Sequence, residues 1–169
     1  MAQDQPISPT NPPHPEINGH ALVARAAERL FAADNAPQEM GIRPVSVSPG
    51  RARRTMRVTE TMLNGHGIFH GGYIFGLADS AFVFASNTYG HVAEAAGAQI
   101  AFIGPARAGD ILEALSVEPF PKGRSGLYDV TVVRLPGNEV IAEFRGRSRT
   151  VPTPLEGPPP AEVQESSNA

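Results

Sequence analysis

The chain of 169 residues contains no cysteine, which excludes disulfides, thiolate nucleophiles and cysteine-ligated metals. It has no run of about 18 apolar residues free of polar interruption, so no segment reads as a membrane span. A basic start followed by an apolar stretch, the mark of a secretory signal, is missing too, and a cytoplasmic protein is expected. Neither sign of charge is in large excess, with a formal net of -3 and scattered basic residues, which gives a nucleic-acid-binding surface little support. What is present fits a soluble globular protein of one domain: 41% hydrophobic residues and 18% charged ones.

Many of the 17 prolines fall in two stretches, Gln5 to Pro15 and Pro152 to Pro160. Neither stretch has an apolar periodicity that would repay the entropy of ordering it, so flexible tails at 1–19 and 151–169 are expected around a domain at 20–150.

Within that domain Leu22, Ala26, Leu30 and Ala33 recur at helical spacing behind Asn18, predicting an amphipathic surface helix over Ala21 to Ala33. Val45 and Val47, then Ala52, Arg54, Met56 and Val58, alternate with their neighbours as strands do, and Pro49-Gly50 supplies the turn between them. From Gly71 to Gly90 the pattern changes to a long apolar segment bounded by glycines, too long for a strand. It predicts a helix apolar on nearly every side, and therefore buried all round. Further strands are expected at Gln99 to Ile103, Ile111 to Glu118, Leu127 to Leu135 and Val140 to Thr150, with Pro136-Gly137-Asn138 turning the last pair. In the final strand Val140, Ala142, Phe144 and Gly146 face inward, while Glu143, Arg145, Arg147 and Arg149 face water as the exposed side of an edge strand. The sum is an α+β subunit, a curved antiparallel sheet of about six strands wrapped around one central helix. One small sheet cannot cover a helix that is apolar all round, so a homodimer is expected.

Asp79 is the only charged residue between Gly71 and Gly90. An ionised carboxylate there loses hydration, which raises its pKa and suits it to general-base work near neutral pH. The alternative is a structural acid that caps a neighbouring element or pairs with a distant arginine, and the helix alone leaves both readings open. Just upstream, Asn64-Gly65-His66-Gly67-Ile68-Phe69-His70-Gly71-Gly72 puts glycines at the start of the helix, where backbone N–H groups favour developing negative charge. That loop is an oxyanion-hole candidate or, more plainly, a tight turn with a satisfied histidine.

Three other motifs fail on inspection. His66 and His70 have the spacing of a zinc helix, but Gly67 replaces its glutamate and no metal site is expected. Gly65-His66-Gly67 opens like a dinucleotide fingerprint and then lacks the later glycine and any βαβ pattern. The HGG of esterases has no G-x-S-x-G elbow to accompany it, so serine hydrolysis lacks a nucleophile.

The run from Asn64 to Asn87, NGHGIFHGGYIFGLADSAFVFASN, resembles the signature of the phenylacetate-degradation thioesterases of the hotdog superfamily. Arg107-Ala-Gly109-Asp110, the Gly123-Arg124-Ser125-Gly126 turn followed by Tyr128, and Phe144-Arg145-Gly146-Arg147-Ser148 are similar to that family in order and spacing, so the resemblance covers about residues 38 to 150. It implies a hotdog fold and hydrolysis of acyl-CoA thioesters, with aryl- or hydroxyaryl-acetyl groups favoured and no cofactor. The implied assembly is a homodimer, or a dimer of dimers as homotetramer, with pockets between subunits so that Asn64 and Asp79 can act from different chains. Asp79 is then general base or nucleophile, Gly71 N–H polarises the thioester carbonyl, Asn64 orients water or thioester, and His70 supports the loop. Phe69 and Val83 are pocket residues whose bulk affects which acyl group fits. Lys122, Gly123, Arg124 and Ser125 form the one local basic turn, a candidate for the CoA phosphates or a plain solvated hairpin. Ser80 departs from the threonine frequent after the aspartate and keeps a hydroxyl. Two rival activities stand beside hydrolysis: an acyl-CoA sensor without turnover, and a hotdog hydratase or dehydratase.

Overall fold

The computed structural model describes residues 29, 32–120 and 123–154, the last three as backbone only. Of the helix expected at Ala21 to Ala33, the described residues Arg29, Ala32 and Ala33 are helical, and the rest lies outside the described residues, as do 1–19 and 155–169. A short helix α1 (Asn35–Glu39) leads into strands β1 (Arg43–Ser48) and β2 (Arg51–Arg57), which pair antiparallel about Pro49-Gly50 as the sequence predicts. A 3-10 turn (Glu60–Met62) and a loop lead to helix α2 (Gly71–Ser86), then β3 (His91–Phe102), β4 (Ile111–Val117), β5 (Ser125–Leu135) and β6 (Glu139–Pro154).

The six strands form one antiparallel sheet in the order β1-β2-β4-β5-β6-β3, and α2 packs on its inner face. This is the hotdog arrangement. Alternation in β2 sends Ala52, Arg54 and Met56 inward, and alternation in β6 buries Ala142, Phe144, Gly146 and Ser148 under the helix. Phe82 of α2 fills the middle of the core, 5.4 Å from the Tyr128 ring and 5.9 Å from that of Phe144. Gly146 is what lets it approach: a Cβ there would sit 2.9 Å from Phe82 Cδ2 and 3.0 Å from Phe144 Cε1.

Four expectations need correction. First, α2 stops at Ser86, short of Gly90, because Asn87 Nδ2 and Ser86 Oγ donate to the Val83 carbonyl and Thr88 Oγ1 donates to that of Ala85. These side chains satisfy the last carbonyls, which is how a helix ends. Asn87 also exchanges two hydrogen bonds with the Ala93 backbone, at 2.8 and 3.0 Å, and so ties the helix end to β3.

Second, β3 begins at His91, eight residues ahead of Gln99, and β6 runs past Thr150 to Pro154. The two extensions hold each other by pairing His91 with Pro154 and Ala93 with Thr150 across two register shifts. Third, β6 is not an edge strand: β5 and β3 flank it, and β3 forms the edge.

Fourth, α2 is not buried all round. Ile74, Leu77, Ala78, Ala81, Phe82 and Ala85 are sealed in the core, whereas Gly72 and Phe75 are exposed and Gly76, Asp79 and Val83 are half-buried. Those five positions recur at helical spacing and make one open stripe along the helix. The sheet covers the opposite side of α2 and leaves this one largely open among the described residues.

Candidate active site

The loop before α2 is built on Asn64. Its side-chain Oδ1 accepts from the backbone N–H of His66 at 2.9 Å and of Ile68 at 3.4 Å, its own N–H donates to the Ile68 carbonyl, and Gly67 turns the chain at φ +68°. An Asx turn of this kind shapes the loop locally. His70 N–H donates to the Met62 carbonyl and Phe69 N–H to that of Ala106, so the loop is pinned from two sides.

His70 then caps the helix, its Nδ1 accepting from Gly72 N–H at 3.0 Å. The bond requires Nδ1 to be unprotonated. The N–H of Gly71, first in the helix, has no protein acceptor among the described residues and points its dipole outward. Phe102, at the end of β3, lies over it: a Cβ on Gly71 would sit 2.9 Å from Phe102 Cζ, and the Phe102 side chain is 56% exposed. Phe69 is buried with its ring stacked on Tyr73 at 6.0 Å.

Asp79 stands on the open stripe two turns further along α2, with Val83 one turn beyond it. Burial pushes its carboxyl above the ordinary aspartate range, and the nearby carboxylate of Asp34 pushes the same way. Asp34 precedes α1 and also acts on Arg54, which is buried on the inner face with its guanidinium carbon 3.9 Å from the centre of the Phe84 ring. Desolvation brings Arg54 down to about 10 and Asp34 partly opposes it. Met40, at the C-terminus of α1, reaches the same stripe: a Cβ on Gly76 would meet its Sδ at 3.0 Å.

Asn64, His70 and Gly71 are thus brought together at the helix start, and Asp79 and Val83 lie apart from them on the same helix. The basic turn lies elsewhere. Gly123 adopts φ +62°, Arg124 is exposed, and Ser125 opens β5 opposite Arg149, which pairs in turn with Glu94 near the start of β3. Lys122 lies outside the described residues. Beside this turn runs a groove of about 480 Å³ that Phe120, Ser125 and Arg147 help to line. Of the arginine row on β6, Arg145 is held by Asp129 through two hydrogen bonds of 2.6 and 2.9 Å, whereas Arg147 faces the groove. No group of three or more histidine, cysteine, aspartate or glutamate residues suited to a metal ion occurs among the described residues. No helix among them is long and apolar enough to cross a membrane.

Asp34, Met40 and Phe102 escaped the reading of the sequence. All three reach α2 from elements remote in the chain, so no local spacing marks them.

Comparison with known proteins gives this geometry a family. The thioesterase superfamily pattern matches residues 66–141. The acyl-coenzyme A thioesterase PaaI of Escherichia coli K12 is 38% identical over 125 residues, which are 74% of this chain and 89% of that protein. The solved structure of the E. coli PaaI protein from the phenylacetic acid degradation operon matches with a TM-score of 0.77 at 35% identity, covering 79% of this chain and 96% of that one. A Streptococcus mutans UA159 protein, smu.793, solved bound to acetyl-CoA, matches with a TM-score of 0.63 at 25% identity over 67% of this chain and 90% of its own. This chain belongs to the PaaI-like acyl-CoA thioesterases of the thioesterase superfamily, a family of thioester hydrolases.

Proposed function

We propose that the protein hydrolyses aryl- or hydroxyaryl-acetyl-CoA in the cytoplasm, in sites shared between the two subunits of a homodimer. The carrying observation is the position of Asp79: it is the one ionisable side chain on the open stripe of α2, half-buried and with its pKa raised. The aryl-acetyl group is inferred from likeness to the PaaI protein of the phenylacetic acid degradation operon, and CoA from the acetyl-CoA bound by smu.793.

The shared site follows from distance. Gly71 and Asp79 are eight residues apart on one helix, about 12 Å along its axis, too far for a single carbonyl and its attacking water to touch both. Two protomers whose open stripes face each other in antiparallel fashion bring Gly71 of one beside Asp79 of the partner subunit. The exposed edge β3 offers the means, since two such edges pair by their free backbone groups. Antiparallel pairing also brings the Phe102 end of one β3 towards the Glu94 end of the other, and with it the partner's basic turn. Arg124 and Arg147 are then within reach of the CoA phosphates.

In this arrangement Asp79 takes a proton from water, and the resulting hydroxide adds to the thioester carbonyl. The oxyanion is held by Gly71 N–H at the positive end of α2. Collapse breaks the C–S bond, and the proton held by Asp79 passes to the departing CoA thiolate. Burial raises the Asp79 pKa and makes its carboxylate a stronger base, which suits it to taking the proton from water.

Release of free thiol from a panel of acyl-CoAs tests the reading. Hydrolysis of aryl-acetyl-CoA is expected. Binding without thiol release would replace the enzyme with a sensor, and loss of enoyl absorbance with the thioester intact would replace it with a hydratase.

A further inference from the structure

We infer that Met40 is the specificity-determining residue of the acyl pocket, the wall that limits how long an acyl group can be. The inference rests on the reading above, in which the thioester carbonyl sits at Gly71 N–H. The CoA arm leaves the site towards solvent and the basic turn, so the acyl group extends the other way, along the open stripe of α2. Gly72 is exposed and offers it no obstacle. Phe75 follows on the stripe, 37% exposed and with its ring 5.3 Å from that of Phe144, and beside it at Gly76 the missing side chain leaves a notch. Met40 fills that notch, its Sδ and Cε 3.0 and 3.1 Å from where a Cβ would stand.

From Gly71 to Gly76 is five residues, a helical rise of about 7.5 Å. That span accommodates an aryl-acetyl group and stops a longer chain. Phe102 over Gly71 and Met40 over Gly76 bracket it with an aromatic ring and a thioether, surfaces that suit an aromatic acyl group. The contacts that α1 makes with α2 agree, since they lay the segment ending at Met40 against this helix. Met40 is anchored there by its N–H, which donates to the Ala36 carbonyl at 3.1 Å, and by the turn at Gly41 with φ +71°.

The test is the ratio of kcat/KM for a longer acyl-CoA to that for phenylacetyl-CoA, in wild type, Met40→Ala, Met40→Leu and Gly76→Ala. Each methylene admitted to or refused by such a pocket is worth about 10- to 200-fold. Met40→Ala is expected to raise the ratio at least ~10-fold, and Met40→Leu, of similar volume, to leave it nearly unchanged. Gly76→Ala is expected to lower it by crowding the thioether towards the pocket. Should Met40→Ala fail to fold, the opposite shift in Gly76→Ala carries the test alone. A folded Met40→Ala that hydrolyses all chain lengths in the wild-type proportions overturns the inference while leaving the thioesterase reading intact. A wild type that releases no thiol from any acyl-CoA overturns both.

Discussion

At the scale of single residues, the site sets a carboxylate where water is scarce and gives it a second carboxylate for a neighbour. Burial raises the Asp79 pKa first and Asp34 second, so in the folded protein Asp79 holds its proton to a higher pH than in the unfolded chain. The folded state therefore binds more protons in the window between the ordinary aspartate value and the raised one. The stabilisation this confers is full below the unfolded pKa and is lost as pH rises through the folded pKa. Asp79→Asn removes that loss. The variant is expected to melt no lower than wild type at neutral pH and higher if the buried charge is costly, with the advantage shrinking as pH falls towards 4. A melting series against pH measures it, and a variant markedly less stable at neutral pH would make Asp79 a structural partner instead. The lone charge of this helix was legible in the sequence because charge stands out against an apolar run. Asp34 was not, since its effect on Asp79 arises only when α1 folds against α2.

At the scale of elements, legibility followed periodicity. The β1–β2 and β5–β6 hairpins were readable from alternation and from Pro49-Gly50 and Pro136-Gly137-Asn138, and they formed as expected. The first eight residues of β3, HVAEAAGA, have mostly small side chains and no alternation, and they form a strand because β6 pairs with them. Tertiary context decided that element, as it does for weak strands generally. The burial of α2 was misjudged in one direction only: its composition is apolar on nearly every side, yet one sheet covers one side. Where the sheet and helix do meet, packing is close enough to test. Gly146→Ala puts a methyl group within 3.0 Å of both the Phe82 and Phe144 rings, and overpacking of this kind costs about 1–3 kcal/mol. Urea unfolding should show a lower midpoint with an unchanged slope. An unshifted midpoint would mean that the rings yield freely.

At the scale of the whole molecule, α2 keeps an open stripe and β3 an edge without a partner strand among the described residues, and the proposed shared site makes the protomer half of a working unit. Phe102 and Ile103, 56% and 59% exposed, lie where that edge ends. Light scattering is expected to give a dimer or a dimer of dimers at micromolar concentration, and specific activity should fall on dilution below the dissociation constant. A monomer of full activity would leave Gly71 and Asp79 about 12 Å apart with no partner to close the gap. The claim on which everything else depends is that Asp79 activates the water, and its most direct test is the turnover of Asp79→Asn. The amide keeps the shape of the side chain and loses its basicity. With circular dichroism and sizing matched to wild type, kcat for aryl-acetyl-CoA should fall by at least ~100-fold, the scale of a general base, while substrate affinity changes little. A folded Asp79→Asn dimer that hydrolyses the thioester at close to the wild-type rate would contradict the account.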